Sequence, residues 1–205
     1  MPIGTQTNTD NFLRANETPL AGNWTQILQG VPTFILQTNA VTFSASSNDI
    51  YARYNPWTSG DDQYSQIAVT VAGTGAGTGA GPSVRISTGG QITLYRLVTD
   101  ASGNYVLARR NNDVGTTLAS GTLSYVAGTL LGLSITGSTL KIWYGGVQVG
   151  SDIVDGSPLA SGQPGFGYSS TSTSLTLDDW DAGTTGSPAA VYIPVPHYAD
   201  RPMSF

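Results

Sequence analysis

Apolar residues recur at every second position over short runs, and Gly, Asn, Asp, Ser or Pro interrupt those runs every eight to twelve residues. A period of two puts one face of each run against a core, and such interruptions mark turns between antiparallel strands. The clearest stretch reads Gly132-Leu133-Ser134-Ile135-Thr136, then Leu140-Lys141-Ile142-Trp143-Tyr144, then Val147-Gln148-Val149. Leu133, Ile135, Leu140, Ile142, Tyr144, Val147 and Val149 share one face, while Gly137-Ser138 and Gly145-Gly146 supply the positive φ that tight hairpins need. The pattern predicts a three-stranded meander. A second hairpin pairs 92–99 with 104–110, a third set covers 26–45 and 50–55, and further strands are predicted at 66–72, 83–87, 116–125, 164–169 and 174–180. No window sustains an apolar repeat at helical spacing, and the wealth of Thr, Val, Ile and Tyr favours strands. The expected fold is all-β, a two-sheet antiparallel jelly-roll sandwich.

Two segments depart from alternation. Residues 73–81 alternate Gly with Thr or Ala, which predicts a flexible loop, and they lack the Gly-Lys-Ser/Thr ending of a phosphate-binding loop. Residues 186–205 interleave Pro188, Pro194, Pro196 and Pro202 with Val191, Tyr192, Ile193, Tyr198, Met203 and Phe205. The prolines exclude a helix or central strand, yet the segment is too apolar for a solvated end. The expected organisation is an N-terminal extension at 1–9, a jelly-roll sandwich at 10–185 and an extended C-terminal arm at 186–205. In that arm Tyr192, Ile193, Pro194, Pro196, His197, Tyr198, Met203 and Phe205 would anchor on the sandwich itself or on a neighbouring subunit.

Composition narrows the chemistry. A length of 205 residues suits one all-β domain. Only 10% of residues are charged, against about 25% in an average soluble domain. A polar but weakly charged surface loses its water easily, which suits sugar contacts and subunit packing. The net charge of −5, with basic residues scattered singly for the most part, argues against a nucleic-acid groove. No apolar run approaches the ~20 residues of a membrane helix, and the opening Met1-Pro2-Ile3-Gly4-Thr5-Gln6-Thr7-Asn8 carries no secretory pattern, so a protein assembled in the cytoplasm is expected. One Glu, one His, one Lys and no Cys leave few groups able to transfer protons or attack carbonyl carbons. That inventory points to a binding protein and not an enzyme, and it implies no cofactor.

Asp10-Asn11-Phe12-Leu13-Arg14-Ala15-Asn16 followed by Pro19-Leu20-Ala21-Gly22-Asn23-Trp24 resembles the opening strand of concanavalin A-like, laminin-G-like jelly-roll domains. Gly137-Ser138-Thr139-Leu140-Lys141-Ile142-Trp143 resembles their paired late strands, and Ser161-Gly162-Gln163-Pro164-Gly165-Phe166-Gly167 the approach to the last ones. Leu177-Asp178-Asp179-Trp180-Asp181-Ala182-Gly183 resembles the closing strand, which pairs with the first. Such domains occur in tailed-phage structural proteins and in secreted bacterial proteins, and they include lectins, glycosidases and lyases, so the fold does not fix the function. The glycosidase members use two nearby carboxylates, commonly Glu, whereas Glu17 stands alone in the N-terminal region. The lyase members use Tyr, His and Arg or Gln, whereas His197 falls in the arm.

Aromatic rings beside amides and carboxylates are what a sugar site requires: rings for the apolar C–H face, forks for vicinal hydroxyls. Tyr51, Arg53, Tyr54, Asn55, Trp57, Asp61 and Asp62 form such a run, and strand parity places Trp143 with Lys141, away from the apolar face. Asp178, Asp179 and Asp181 offer oxygen ligands for calcium, but alternation puts neighbours on opposite faces unless a bulge intervenes. Two functions are expected from these observations. The first is a virion structural protein, a phage capsid decoration (cement) or tail-associated protein that packs on other virion proteins or on copies of itself as a homo-oligomer. The alternative is a carbohydrate-binding, lectin-like module for a host or environmental glycan.

Overall fold

The computed structural model describes residues 3–28, 33–43, 49–71, 79–169 and 175–185, and every regular element among them is a β-strand. In chain order they are β1 (Thr5–Asp10), β2 (Trp24–Leu28), β3 (Phe34–Gln37), β4 (Ala40–Phe43), β5 (Ile50–Tyr54), β6 (Gln63–Val71), β7 (Gly79–Ile86) and β8 (Leu94–Thr99). They continue with β9 (Asn104–Asn111), β10 (Val114–Thr122), β11 (Leu130–Thr136), β12 (Thr139–Tyr144), β13 (Val147–Val154), β14 (Gln163–Ser169) and β15 (Thr176–Thr184). An eight-stranded antiparallel sheet runs β13, β12, β11, β6, β15, β4, β3, with β1 also paired to β15. A seven-stranded sheet runs β10, β9, β8, β7, β14, β5, β2. The two form the sandwich that the alternation predicts.

The space between the sheets is filled from both inner faces. One half is an aromatic box in which Trp24 lies 4.7 Å from both Phe166 and Trp180, with Tyr54 5.0 Å from Trp180, measured between ring centres. The other half holds Leu97, Leu107, Leu131, Leu133, Ile135, Leu140 and Ile142. A polar thread crosses the core: the Trp180 indole N–H donates to Ser65 Oγ at 2.9 Å, and that hydroxyl donates to the Gly165 carbonyl at 2.5 Å. This joins β15 and β6 of one sheet to β14 of the other, satisfying groups that burial would otherwise penalise.

The meander stands at β11–β13, and the parity assigned to it holds for Leu133, Ile135, Leu140 and Ile142, all buried. Val147 is 68% exposed, since the β12–β13 pairing shifts register between Leu140 and Ile142. The sandwich opens earlier than expected. Residues Thr5–Asp10 are a strand, and so part of the sandwich, pairing Thr5 with Thr184 through Asp10 with Trp180. The glycine run is also partly strand, because Gly79 and Gly81 lie in β7. A Cβ on Gly79 would sit 2.3 Å from the Thr99 carbonyl oxygen, so only glycine fits that close approach. The arm, with Tyr192, Ile193, Pro194, Pro196, His197, Tyr198, Met203 and Phe205, lies outside the described residues.

Candidate binding site

The sequence run from Tyr51 to Asp62 is divided by the fold. Ala52 and Tyr54 turn inward and pack in the core, while Tyr51 and Arg53 stand on the outer face of the seven-stranded sheet. Tyr54 is 8% exposed within the aromatic box, and Trp57, also 8% exposed, donates its indole N–H to the Gly60 carbonyl at 2.9 Å. Both rings are spent on packing, so neither offers a face for a sugar. Asn55 stays at the surface, its backbone N–H bonded to Asn23 and its carbonyl to Gln163. Asp61 and Asp62 serve the loop before β6: the Asp61 carbonyl accepts from Arg85, and Asp62 Oδ1 accepts from the Gly137 amide at 2.7 Å.

Cross-strand pairing builds the outer face of the seven-stranded sheet row by row. One row reads Thr25, Arg53, Gly165, Ser83, Arg96, Ala108, Thr117 across β2, β5, β14, β7, β8, β9 and β10. The next begins Ile27, Tyr51, Gly167. Small residues thus floor the middle of the face, and long ones flank it. The Tyr51 ring lies over Gly167, where a Cβ would meet the ring at 2.2 Å. Arg85, at φ 51°, makes a bulge that resets β7, and Ile86 joins Tyr51, Ile92 and Leu94 in an apolar cluster separate from the sandwich core.

The charged groups meet above this floor. Arg96 Nη1 donates to Asp49 Oδ2 and to the Tyr51 hydroxyl, both at 2.8 Å, and Arg110 also donates to Asp49 Oδ2. Tyr51 in turn donates to the same carboxylate at 3.2 Å. Burial pushes the Tyr51 phenol up to about 12, so it remains a neutral donor. Burial works against the charge of Arg96, but Tyr51 and Asp49 outweigh it and raise its pKa. Arg53 differs: it reaches the Ser87 carbonyl at 2.9 Å, has no ion-pair partner among the described residues, and burial lowers its pKa. Four buried polar atoms of this face have no hydrogen-bond partner: Ser83 Oγ and the Nε atoms of Arg53, Arg96 and Arg110.

The opposite face, outside the eight-stranded sheet, carries a shallower feature. Trp143, Gly132, Gln66 and Asp181 form a row there, and a concavity of about 320 Å³ opens beside it between Tyr64, Gln66, Leu130 and Asp181. Trp143 is half-buried on the side that parity predicts and donates its indole N–H to Ser134 Oγ at 2.8 Å. Burial raises the Asp181 pKa against the hydrogen bonds of Gln66, at 2.6 Å, and Tyr64. A bulge does interrupt the closing strand between Asp178 and Asp181, with Asp179 at φ 48°. It does not gather the three acids, and among the described residues no three His, Cys, Asp or Glu side chains group as metal ligands.

The sequence run therefore contributes Tyr51 and Arg53 to the richest face, while Asp49, Ser83, Arg96 and Arg110 were missed. A signal for Arg96 lay in Leu94-Tyr95-Arg96-Leu97-Val98, where an arginine interrupts a strand that is apolar on both faces. Such a position asks for a partner.

The sequence matches no protein-family model and no curated relative. Among solved structures it resembles the carbohydrate-binding module CBM66 from Bacillus subtilis, at 19% identity and TM-score 0.59 over 77% of this chain and 91% of that one. It also resembles the Bacillus licheniformis beta-glucanase, at 11% identity and TM-score 0.57 over 88% and 98%. A third likeness is to the exoplasmic/lumenal domain of VIP36 in its Ca2+/Man-bound form, at 12% identity and TM-score 0.56 over 83% and 86%. What is shared at these identities is the concanavalin A-like jelly-roll fold.

Proposed function

We propose that the chain is a non-catalytic carbohydrate-binding module whose site is the outer face of the seven-stranded sheet. The observation that carries this is the set of unpartnered donors, Ser83 Oγ and three arginine Nε atoms, beside the apolar cluster of Tyr51, Ile86, Ile92 and Leu94. A sugar presents that same pairing of an apolar C–H face with acceptor oxygens. The solved structures named above support the reading in kind, since they include a carbohydrate-binding module and a mannose-bound domain.

Turnover lacks equipment on this face. Glycoside hydrolysis needs one carboxyl group as acid and a second as nucleophile or base. Asp49 is occupied by Arg96, Arg110 and Tyr51, and Asp113 accepts from the Ile92 amide at 3.2 Å. Glu17 is distant in role, bound to Arg14 at 2.9 Å and to the Ala21 amide at 3.0 Å. The virion-packing reading rested on the arm, and no observation among the described residues favours it over sugar binding.

A glycan array probed with the whole chain tests the proposal. Binding to a defined glycan class that disappears in Arg53→Ala, with no saccharide released on incubation, is expected. A silent array, or product release, would overturn it.

A further inference from the structure

The apolar pad and the orphaned donors leave open which sugars the face selects, and the arrangement of its arginines answers this. Arg53 and Arg96 occupy one cross-strand row with Gly165 and Ser83 between them. Neighbouring strands are about 4.8 Å apart, so their Cα atoms stand roughly 14 Å apart. Arg96 leans back across β7 and β14 to reach Tyr51 and Asp49. Arg53 leans the opposite way to Ser87, just past the end of β7. Both guanidinium heads therefore overhang the small-residue floor.

Each of these arginines uses only Nη1 for its hydrogen bonds. Each keeps its Nε without a partner, and Ser83 Oγ between them is in the same condition. The side-on edge of a guanidinium, Nε with Nη2, matches the two oxygens of a carboxylate or sulfate. Buried donors without acceptors are uncommon in folded proteins, and several on one face mark a place where acceptors arrive from outside. Asp49 already engages Nη1 of Arg96 and of Arg110, which fixes the arginines in place and leaves their Nε atoms unused. Arg53 has no carboxylate within ion-pair distance among the described residues.

We infer that this face selects acidic sugars, a carboxylate or sulfate ester seating between Arg53 and Arg96 over Gly165 and Ser83 while the ring lies on the Tyr51 and Leu94 side. The inference rests on the sugar-binding reading of the same face. Because the chain as a whole carries a net charge of −5, an acidic ligand is drawn by local forks and not by the overall field.

The test is calorimetric titration of the full chain with uronic-acid oligosaccharides, their neutral methyl esters, sulfated and desulfated galactose oligosaccharides, and sodium sulfate alone. Acidic sugars are expected to bind at least about tenfold tighter than their neutral forms, more weakly as salt rises, and about tenfold more weakly to Arg53→Gln or Arg96→Gln. Arg53→Gln removes no ion pair, so its melting temperature should match the parent even if Arg96→Gln is less stable. Equal binding of acid and methyl ester would overturn the selectivity and leave the sugar site standing. Binding of no sugar would overturn both, and sulfate alone binding as tightly as a sulfated sugar would reduce the face to a plain anion site, overturning the inference.

Discussion

At the scale of single residues, the fold depends on glycines that no apolar pattern would pick out. A Cβ on Gly165 would stand 2.0 Å from the Ala52 carbonyl oxygen, which is backbone of a paired strand and cannot move aside. Gly165→Ala should cost at least about 1–3 kcal/mol as an overpacking change. Ser83→Ala two strand positions away in the same row should be neutral or stabilising, because it deletes a hydroxyl with no partner. Urea denaturation of the two variants checks the pair, and the reverse order would contradict the packing described. The same scale shows what could be read from the chain and what could not. Tyr51 and Arg53 were legible as chemistry, but Tyr54 and Trp57 look identical in sequence and differ only in which sheet face the pleat gives them. Arg96 and Arg110 stand more than forty residues away and meet Asp49 only because β8 and β9 fold over beside β7.

At the scale of elements, the segment after β13 is fastened by one carboxylate. Asp155, 4% exposed, accepts from the Tyr95 hydroxyl at 2.7 Å, from Arg109 at 2.7 Å and from the Ser157 amide at 3.0 Å. Burial opposes its charge, but these three partners outweigh that effect and hold its pKa below the ordinary value. A depressed folded pKa means stability that is fully present above the ordinary carboxylate pKa of about 3.9 and lost as pH falls through the lower folded value. Thermal melting followed from pH 7 down to about pH 2 should show an acid-side loss that is smaller in Asp155→Asn, although that variant starts less stable at neutral pH. An unchanged acid slope would remove Asp155 from the account. Most strands were legible because their inner faces alternate cleanly. β1 was not, since Thr5-Gln6-Thr7-Asn8-Thr9-Asp10 contains no apolar residue and becomes a strand only by pairing with β15. β7 was half hidden for a related reason: Gly79 and Gly81 carry no side chain to declare a face, and tight approach to β8 selects them.

At the scale of the whole molecule, the described strands close on themselves: β1 lies against β15, so Thr5 is the cross-strand partner of Thr184. Such long-range pairing must form before its contacts repay the loss of chain freedom, which places folding in the slow range of roughly milliseconds to seconds. The same seam has a use in engineering. Paired residues in antiparallel strands have Cα atoms about 4.5–5.5 Å apart, so a few added residues could splice the two ends into a ring, with a fresh opening cut at the Gly145-Gly146 hairpin. Such a permuted chain should keep the circular dichroism of the parent and lose little melting temperature, because the splice crosses a gap that the sheet has already closed.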